Sequence, residues 1–345
     1  MSKSNKVSDL FSVKRIAIPI IIGLGVAAYM LYTNTDWKLL KNYEWTYHSF
    51  WWLLVALLMM AIRDIAYMYR IRVLTDRVIS WRKSFDVIML WEFASALTPS
   101  VVGGSGVAMF IIHKEGISLG KSTAIVMVTA LLDELFYIIT VPFVLFMIGT
   151  QHLFPVELST TVLGITLSTK EVFVVGYSFI LGLTALISYG VFINPERLKK
   201  MLVALFKIRV LKKWKRRAIK TGNDIELTSQ ELKSKPFNFW IKAFGATFFS
   251  WTARFWVVNF LILAFTNGSD HFLIYGRQLV MWVIMLISPT PGGAGVAEFA
   301  FDGFLKEFIP FGLAGLLVVL WRLFSYYPYL IIGAVVLPKW LKRVM

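Results

Sequence analysis

Residues 103–108 read GGSGVA and residues 292–297 read GGAGVA, so the chain contains nearly the same glycine-rich stretch twice, each time after a proline-containing step. Proline lacks a backbone N–H donor, and glycine loses more conformational entropy in a helix than any other residue. We therefore expect each stretch to interrupt an apolar helix. Residues 84–112 and 276–307 are each predicted to form two half-length helices, joined by loops at residues 98–106 and 288–295.

The sequence around these stretches is apolar enough to lie within a membrane. Hydrophobic residues make up 57% and charged residues 16% of the 345 positions, against about 45–50% and about 25% in soluble domains. A helix needs about 20 apolar residues to cross the hydrocarbon layer. Residues 1–345 are thus predicted to form a single all-α, polytopic transmembrane domain. Its six full spans are predicted at residues 16–33, 50–70, 121–149, 171–193, 237–266 and 311–337.

The positions of the basic residues predict the orientation of the chain. The formal net charge is +16, and basic residues cluster in the segment 194–236 and in a shorter loop that begins at Arg70. Loops rich in Lys and Arg stay cytoplasmic. Both clusters are cytoplasmic only if the two interrupted segments return to the side they enter from, as re-entrant helical hairpins. We therefore predict a cell (inner) membrane protein with cytoplasmic N- and C-termini, whose basic segment lies on anionic lipid headgroups rather than on nucleic acid.

The surroundings of the two glycine-rich stretches are also similar. Each stretch follows a span that contains an arginine, Arg63 or Arg254, and each precedes a span with charged residues in its middle. Residues 50–149 and 237–337 are therefore predicted to be two repeats of opposite orientation. Inverted repeats with interrupted helices surround a midplane binding site in many transporters. The alternative is that two glycine–proline breaks resemble each other by chance.

The glycine-rich stretches are the first candidates for ligand binding. A half-helix that starts after such a loop presents free N–H groups and the positive end of its dipole. Glycine lets a ligand approach the backbone closely, so the arrangement favours an anion such as a phosphate. The alternative is tight helix packing, because small residues also let helices approach each other. The candidate residues are Gly103, Gly104, Ser105, Gly106, Gly292, Gly293, Ala294 and Gly295.

Charged residues inside the predicted spans are the second group of candidates, because such residues are costly in a membrane and usually functional. Arg254 and Arg322 are predicted to bind the anion. Asp133, Glu134 and Glu298 are predicted to couple its movement to protons or to form ion pairs. The alternative role of Glu298 is capping of the second half-helix, and that of Arg322 is a structural ion pair with one of these acids.

Cysteine and histidine usage argues against metal or redox chemistry. The chain has no cysteine and only four histidines, which are scattered. A disulfide framework, a thiolate metal site and a cysteine nucleophile are therefore excluded, and we predict no metal and no cofactor. An intramembrane enzyme that modifies lipid headgroups would need a nucleophile or a metal-ligand cluster near the cytoplasmic face. The sequence contains no such cluster, so we do not expect an enzyme.

Two motifs resemble a known family. The stretch PTPGGAGVAE at residues 289–298 and the stretch WRLFSYY at residues 321–327 resemble the lysylphosphatidylglycerol synthase transmembrane family, the membrane part of the multiple peptide resistance factor. The resemblance implies a protein that flips an anionic or aminoacylated lipid between leaflets, with membrane lipids as partners and without the soluble synthase activity of larger relatives. The family often has an arginine in its first repeat where this chain has Asp133 and Glu134.

The function predicted from the sequence is a lipid flippase or transporter, with a phosphate-bearing headgroup held between the two interrupted segments. A secondary transporter for a small solute or ion is the first alternative, and it would have a cavity closed to lipid. A lipid-modifying enzyme and a scaffold without transport activity are the others. Assembly into a homo-oligomer is compatible with all of them.

Overall fold

The computed structural model describes residues 35–98, 100–154, 159–162, 165–205, 215–286 and 295–344, together with Gly293 and a few positions between 25 and 33. Helices make up almost all of this part of the chain. They are α1 (Trp37–Lys41), α2 (Tyr47–Leu74), α3 (Trp81–Leu97), α4 (Ser100–Lys114), α5 (Leu119–Ile148), α6 (Thr150–Leu153), α7 (Thr169–Ser188), α8 (Pro195–Leu205), α9 (Lys215–Lys233), α10 (Phe237–Leu263), α11 (His271–Met285), α12 (Val296–Leu305), α13 (Ala314–Ser325) and α14 (Tyr327–Val344).

Short irregular elements complete the described chain. A π-helical turn, Tyr189–Ile193, follows α7, and a 3-10 turn, Lys306–Phe308, follows α12. The strands β1 (Ser159–Val162) and β2 (Ile165–Ser168) pair in antiparallel register between α6 and α7. This small hairpin departs from the all-α prediction, because the polar stretch between two spans is free to form a local strand pair outside the helical bundle.

Five helical segments are long and apolar enough to cross a membrane. They are Tyr47–Leu74, Leu119–Ile148, Thr169–Ile193, Phe237–Leu263 and Ala314–Val344, and they correspond to five of the predicted spans. The predicted span at residues 16–33 lies almost wholly outside the described residues. The last segment bends at Tyr326, where α13 ends and α14 begins with the next residue.

The first interrupted segment breaks at the start of the predicted loop, and the rest of that predicted loop is helical. Helix α3 ends at Leu97, Thr98 is extended, and α4 begins at Ser100. The prediction that Gly103, Gly104 and Gly106 form the loop was wrong, because all three lie inside α4. Proline disfavours helical geometry at the residue before it, which explains the extended backbone at Thr98.

Close packing explains why the glycines tolerate helical geometry in α4. Each glycine costs a helix about 1 kcal/mol relative to alanine, but a Cβ atom on Gly104 would lie 2.1 Å from Ser95 Oγ on α3. The missing side chain therefore lets α3 and α4 approach closely. For Gly104, the alternative role of a tight helix contact is the one that the structure supports.

The second interrupted segment is non-helical at its two described glycines. Helix α11 ends at Met285 and α12 begins at Val296, while Gly293 and Gly295 have φ values of 67° and 85°. L-residues rarely adopt such angles, so glycine is required at these two positions. The predicted loop is confirmed at Gly293 and Gly295, whereas Gly292 and Ala294 lie outside the described residues.

The core joins the two halves of the chain. Helix α2 packs extensively against α10, α3 packs against α14, and α4 packs against α5. Phe93, Phe136, Phe255 and Phe301 are fully buried within this core. The basic segment 194–236 contains α8 and α9. Helix α9 packs against α5, where Lys121 Nζ lies 2.7 Å from Glu231 Oε2.

Candidate functional site

A cavity of about 280 Å³ lies where the two interrupted segments meet. The first segment contributes Thr98 and Ser105, and the second contributes Met285, Leu286 and Gly293. Side chains from α2, α3, α5, α10, α13 and α14 complete the lining. Non-helical backbone is tolerated at membrane depth only where it is buried in protein or lines a cavity. The two breaks therefore share one polar chamber.

The cavity gathers several of the residues predicted from the sequence. The lining includes Ser105, Asp133, Glu134, Arg254, Gly293 and Arg322. Gly292 and Ala294 fall outside the described residues. The remaining candidates are not among the described lining residues, namely Gly103, Gly104, Gly106, Gly295 and Glu298. The charged candidates thus meet in space, whereas Gly293 is the one glycine candidate among the described lining residues.

Arg322 is held by Glu298 behind the second break. Arg322 Nε donates to Glu298 Oε1 at 2.7 Å, and both side chains are buried. The other oxygen, Oε2, accepts from the Gly295 N–H at 2.8 Å, and Arg322 Nη2 lies 3.3 Å from the Gly293 carbonyl oxygen. The capping role of Glu298 and the ion-pair role of Arg322 are therefore both present, and together they fix the loop that precedes α12.

Asp133 is fully engaged by neighbouring helices. Its Oδ1 lies 2.5 Å from Arg70 Nη1 and accepts from Trp251 Nε1 at 2.8 Å, and its Oδ2 accepts from Arg70 Nη2 at 3.3 Å. Arg70 was assigned to a cytoplasmic loop from its charge, and that was wrong. It lies in the buried end of α2, 5% exposed, because Asp133 neutralises it there.

A second buried ion-pair network, which the sequence did not predict, supports the wall of the cavity. Arg63 is fully buried, with Nη2 at 2.5 Å from Glu92 Oε1 and Nη1 at 3.0 Å from Asp64 Oδ1. Tyr329 OH accepts from Arg63 Nη1 at 2.6 Å and donates to the Asp64 carboxylate. A signal was available, since Arg63, Tyr67 and Arg70 are spaced along one face of a helix, and both guanidinium groups stack on the Tyr67 ring.

Arg254 differs from these arginines. Its guanidinium lies 4.4 Å from the centroid of Trp282 and 5.4 Å from that of Trp251, and the residue lines the cavity. Within the described part of the chain, no carboxylate lies at ion-pair distance from it and no atom accepts its N–H groups. A charged group at membrane depth is normally paired or faces water. Arg254 therefore offers its N–H donors to whatever occupies the cavity.

One face of α5 carries polar atoms that are also without partners. Thr129, Glu134 and Tyr137 are 2%, 5% and 2% exposed, and all three line the cavity. In the described ranges, no group hydrogen-bonds to Thr129 Oγ1, Glu134 Oε2 or Tyr137 OH. Buried polar atoms are rarely left in this condition unless a ligand, an ion or water satisfies them. This face therefore complements Arg254 as a second open polar surface.

Metal binding finds no support in the described residues. Within those ranges, no group of three or more His, Asp and Glu side chains could hold a metal ion. The open groups of the cavity are a guanidinium, a carboxyl and two hydroxyls. Such a set is able to form hydrogen bonds and ion pairs with a charged ligand.

Comparison with known proteins agrees with the membrane architecture. The family model for the lysylphosphatidylglycerol synthase TM region matches residues 16–333. A UPF0104 membrane protein from Archaeoglobus fulgidus is 25% identical over 332 residues, which cover 92% of this chain and 94% of the relative. No solved structure matches the chain.

Proposed function

The chain belongs to the lysylphosphatidylglycerol synthase transmembrane family, a membrane-protein family related to lipid handling, and from this premise we propose that it is a lipid flippase. It moves an anionic or aminoacylated phospholipid between leaflets of the cell membrane. The lipid is moved and not chemically changed, so the protein is not an enzyme. The headgroup occupies the cavity between the two interrupted segments, and the acyl chains stay in the bilayer.

The observation that carries this proposal is that Arg254 has no ion-pair or hydrogen-bond partner among the described residues. Three arginines line the cavity in the described residues. Arg70 and Arg322 are each paired with an acid, whereas Arg254 contacts neither a carboxylate nor a hydrogen-bond acceptor there. A phosphodiester oxygen is a natural acceptor for a guanidinium, which can donate two parallel N–H bonds to it. A bound phosphate group would therefore satisfy a charge that is otherwise unpaired at membrane depth.

The size of the cavity supports a headgroup rather than a whole lipid. Drug-sized ligands occupy pockets of about 300–1,000 Å³, and this cavity of about 280 Å³ lies at the lower end of that range. It has room for a glycerophosphate group and not for two acyl chains. The chains would have to extend laterally between helices while the headgroup crosses, as expected for a flippase.

We also propose that both interrupted segments are re-entrant hairpins of an inverted repeat. Helices α3 and α4 have 17 and 15 residues, and α11 and α12 have 15 and 10, so each is shorter than the roughly 20 residues that a crossing helix needs. With the span at residues 16–33, this arrangement gives six full crossings and cytoplasmic termini. It also keeps the basic segment 194–236 on the cytoplasmic side, as the positive-inside rule requires.

The second candidate is a secondary transporter for a small anion, and the same cavity size favours it. A cavity of about 280 Å³ accommodates inorganic phosphate with its hydration water as well as a lipid headgroup. The two candidates share the anion site at Arg254. They differ in whether the cavity opens laterally to the acyl chains.

Reconstituted vesicles distinguish these candidates. We expect the purified full-length chain to accelerate the loss of fluorescent phosphatidylglycerol from the outer leaflet, and Arg254→Gln to abolish the acceleration. The matched control is Arg82→Gln, because Arg82 is exposed at the start of α3, away from the cavity. Mass spectrometry should recover the lipid unchanged. Uptake of radiolabelled phosphate without lipid movement would favour the second candidate, and unaltered lipid movement in Arg254→Gln would contradict the role of Arg254.

A further inference from the structure

Three segments that are far apart in the sequence meet at the open end of the first interrupted segment. Glu115, which directly follows α4, is buried there and holds them together. Its Oε2 lies 3.2 Å from Lys83 Nζ near the start of α3, and its Oε1 accepts from Trp340 Nε1 at 2.8 Å and from Arg343 Nη2, both near the end of α14. The start of α3 and the end of α4 therefore lie together against the C-terminal helix. We call these four residues the Glu115 junction.

The Glu115 junction lies outside the cavity, where two membrane-crossing segments have their ends. Segment Ala314–Val344 ends at the junction, and segment Leu119–Ile148 begins shortly after Glu115. Trp81, the first residue of α3, is 44% exposed, and the Arg72 guanidinium lies 4.5 Å from its ring centroid. Tryptophans are enriched where a membrane meets water. The junction is therefore at the depth at which lipid headgroups lie.

Positive charge remains at the junction after its acids are paired. Arg343 binds Asp86 as well as Glu115, since its Nη2 lies 3.1 Å from Asp86 Oδ2. In the described ranges, no acid lies at ion-pair distance from the three exposed lysines that surround the junction, which are Lys114, Lys339 and Lys342. An ammonium group without an acid keeps its three N–H donors for another anion.

These lysines form one surface with Arg343. Residues three and four apart on a helix are neighbours, so Lys339 lies beside Lys342 and Arg343 on α14. Lys114 joins them from α4, where its Nζ lies 5.8 Å from the ring centroid of Phe110. That ring packs edge to face against the tryptophan of the junction, with centroids 6.2 Å apart. The basic surface is thus defined by Lys114, Lys339, Lys342 and Arg343.

We propose that the basic surface binds the headgroups of anionic phospholipids in the leaflet at the C-terminal end of α14. Ammonium and guanidinium groups donate charge-assisted hydrogen bonds to phosphate oxygens. Because Glu115 fixes the helix ends against each other, the four cations are held near one another before a lipid arrives, and less ordering is needed on binding. The inference goes beyond the proposed function, since lipid collects at this surface whether or not the protein moves it.

The place of the basic surface favours lipid over a soluble acidic partner. Clusters of basic residues directly beside a membrane-crossing helix attract anionic lipids, and each Lys or Arg strengthens this attraction roughly fivefold. The attraction weakens as salt screens the charges. The surface is also separate from the basic segment 194–236, because its cations come from α4 and α14.

Fluorescence quenching by labelled lipids tests this proposal, and the absence of cysteine makes single-site labelling possible. A fluorophore is attached at Val344→Cys, beside Arg343, or at Tyr47→Cys, an exposed site at the opposite end of the bundle. The full-length chain is placed in phosphatidylcholine nanodiscs that contain some phosphatidylglycerol, and a nitroxide quencher is carried on an acyl chain of either lipid. At residue 344 we expect phosphatidylglycerol to be preferred at least about tenfold at low salt, and at residue 47 we expect no preference.

Two triple variants show which charges cause the preference. The first replaces by glutamine the three unpaired lysines of the basic surface and leaves the Glu115 junction intact. Its preference at residue 344 should fall by at least about tenfold. The matched control should keep the wild-type preference, because it removes the same charge from exposed lysines at the opposite end of the bundle, namely Lys38, Lys41 and Lys306.

Several outcomes would overturn the inference. Equal quenching by the two lipids at residue 344 would do so without any charge variant. A preference that survives in the surface variant, or that falls equally in both triple variants, would show that the basic surface does not cause it. Quenching at residue 344 by a water-soluble nitroxide and by neither lipid would favour a soluble acidic partner instead. All of these results leave the flippase proposal intact, because that proposal is tested by lipid movement.

Discussion

Arg63 and Arg254 lie on α2 and α10, the first spans of the two predicted repeats, yet their surroundings are opposite. Arg63 is fully buried and held by Asp64, Glu92 and Tyr329. Arg254 is half-buried between two tryptophan rings and, in the described residues, has no acid or acceptor. Similar positions in two halves of a chain therefore serve different purposes. In the first half the arginine holds helices together, and in the second we propose that it binds the ligand.

The glycine-rich stretches follow the same division. The first copy lies inside α4, where Gly104 packs against Ser95. The second copy precedes α12 as a loop whose backbone reaches the cavity at Gly293. Nearly identical sequences thus form a helix–helix contact at Gly104 in one half and non-helical backbone beside the cavity at Gly293 in the other. Three predictions test this contrast between a packed first half and an open second half.

The largest difference is expected between Arg63→Gln and Arg254→Gln. Removing one partner of a buried ion pair costs about 3–5 kcal/mol, because it leaves uncompensated buried charge. Arg254 contributes cation–π contacts alone, so its loss should change stability by about 1 kcal/mol or less. Thermal unfolding in detergent, followed by size exclusion, gives the two midpoints. Equal destabilisation by the two substitutions would contradict the contrast.

An intermediate effect is expected at the loop before α12. Gly295 has φ 85° and ψ −57°, a conformation that costs an L-residue about 1–3 kcal/mol. Gly295→Ala should therefore destabilise the protein by that amount and also weaken binding of phosphatidylglycerol, because Glu298 and Arg322 hold this loop. Calorimetric titration with the short-chain lipid measures the second effect. A fully stable Gly295→Ala variant would show that the loop adapts.

Two effects of opposite sign are expected within α4, and the one at Gly106 should be the smallest of all. A Cβ atom on Gly104 would collide with Ser95, so Gly104→Ala should cost about 1–3 kcal/mol, and Ser95→Gly should restore part of this loss. A Cβ atom on Gly106 would meet no atom within 4 Å. Gly106→Ala should therefore stabilise the helix by up to about 1 kcal/mol. The midpoints of thermal unfolding of the single and double variants measure these changes in stability. Unchanged midpoints for both Gly104→Ala and Gly106→Ala would contradict the packing role of Gly104.

The membrane class, five of the predicted spans and the family could be predicted from the sequence. Runs of about 20 apolar residues are local features, and their burial in lipid follows from the cost of exposing them to water. The motif at residues 289–298 identified the family that the comparison confirms. The loop at Gly293 and Gly295 was also predictable, because several helix-breaking residues occur there in succession.

The loop predicted in the first interrupted segment was too long for a physical reason. Intrinsic propensity assigned Gly103, Gly104 and Gly106 to a loop, but contact with α3 outweighs the entropy that these glycines lose in a helix. Propensity is a weak prior, and tertiary packing often overrides it. The sequence around residue 104 contains no local sign that Ser95 would lie against it.

The sequence by itself determined that the chain is a membrane protein with charged residues at depth, because composition and spacing are properties of the chain alone. The tertiary structure decided which of those charges are paired. Arg70 meets Asp133 across 63 residues, and Arg322 meets Glu298 across 24. Whether a charge is neutralised depends on atoms a few ångströms away, and helix packing brings them there. That is why Arg254 and Glu134 are recognisable as the open sites only in the folded protein.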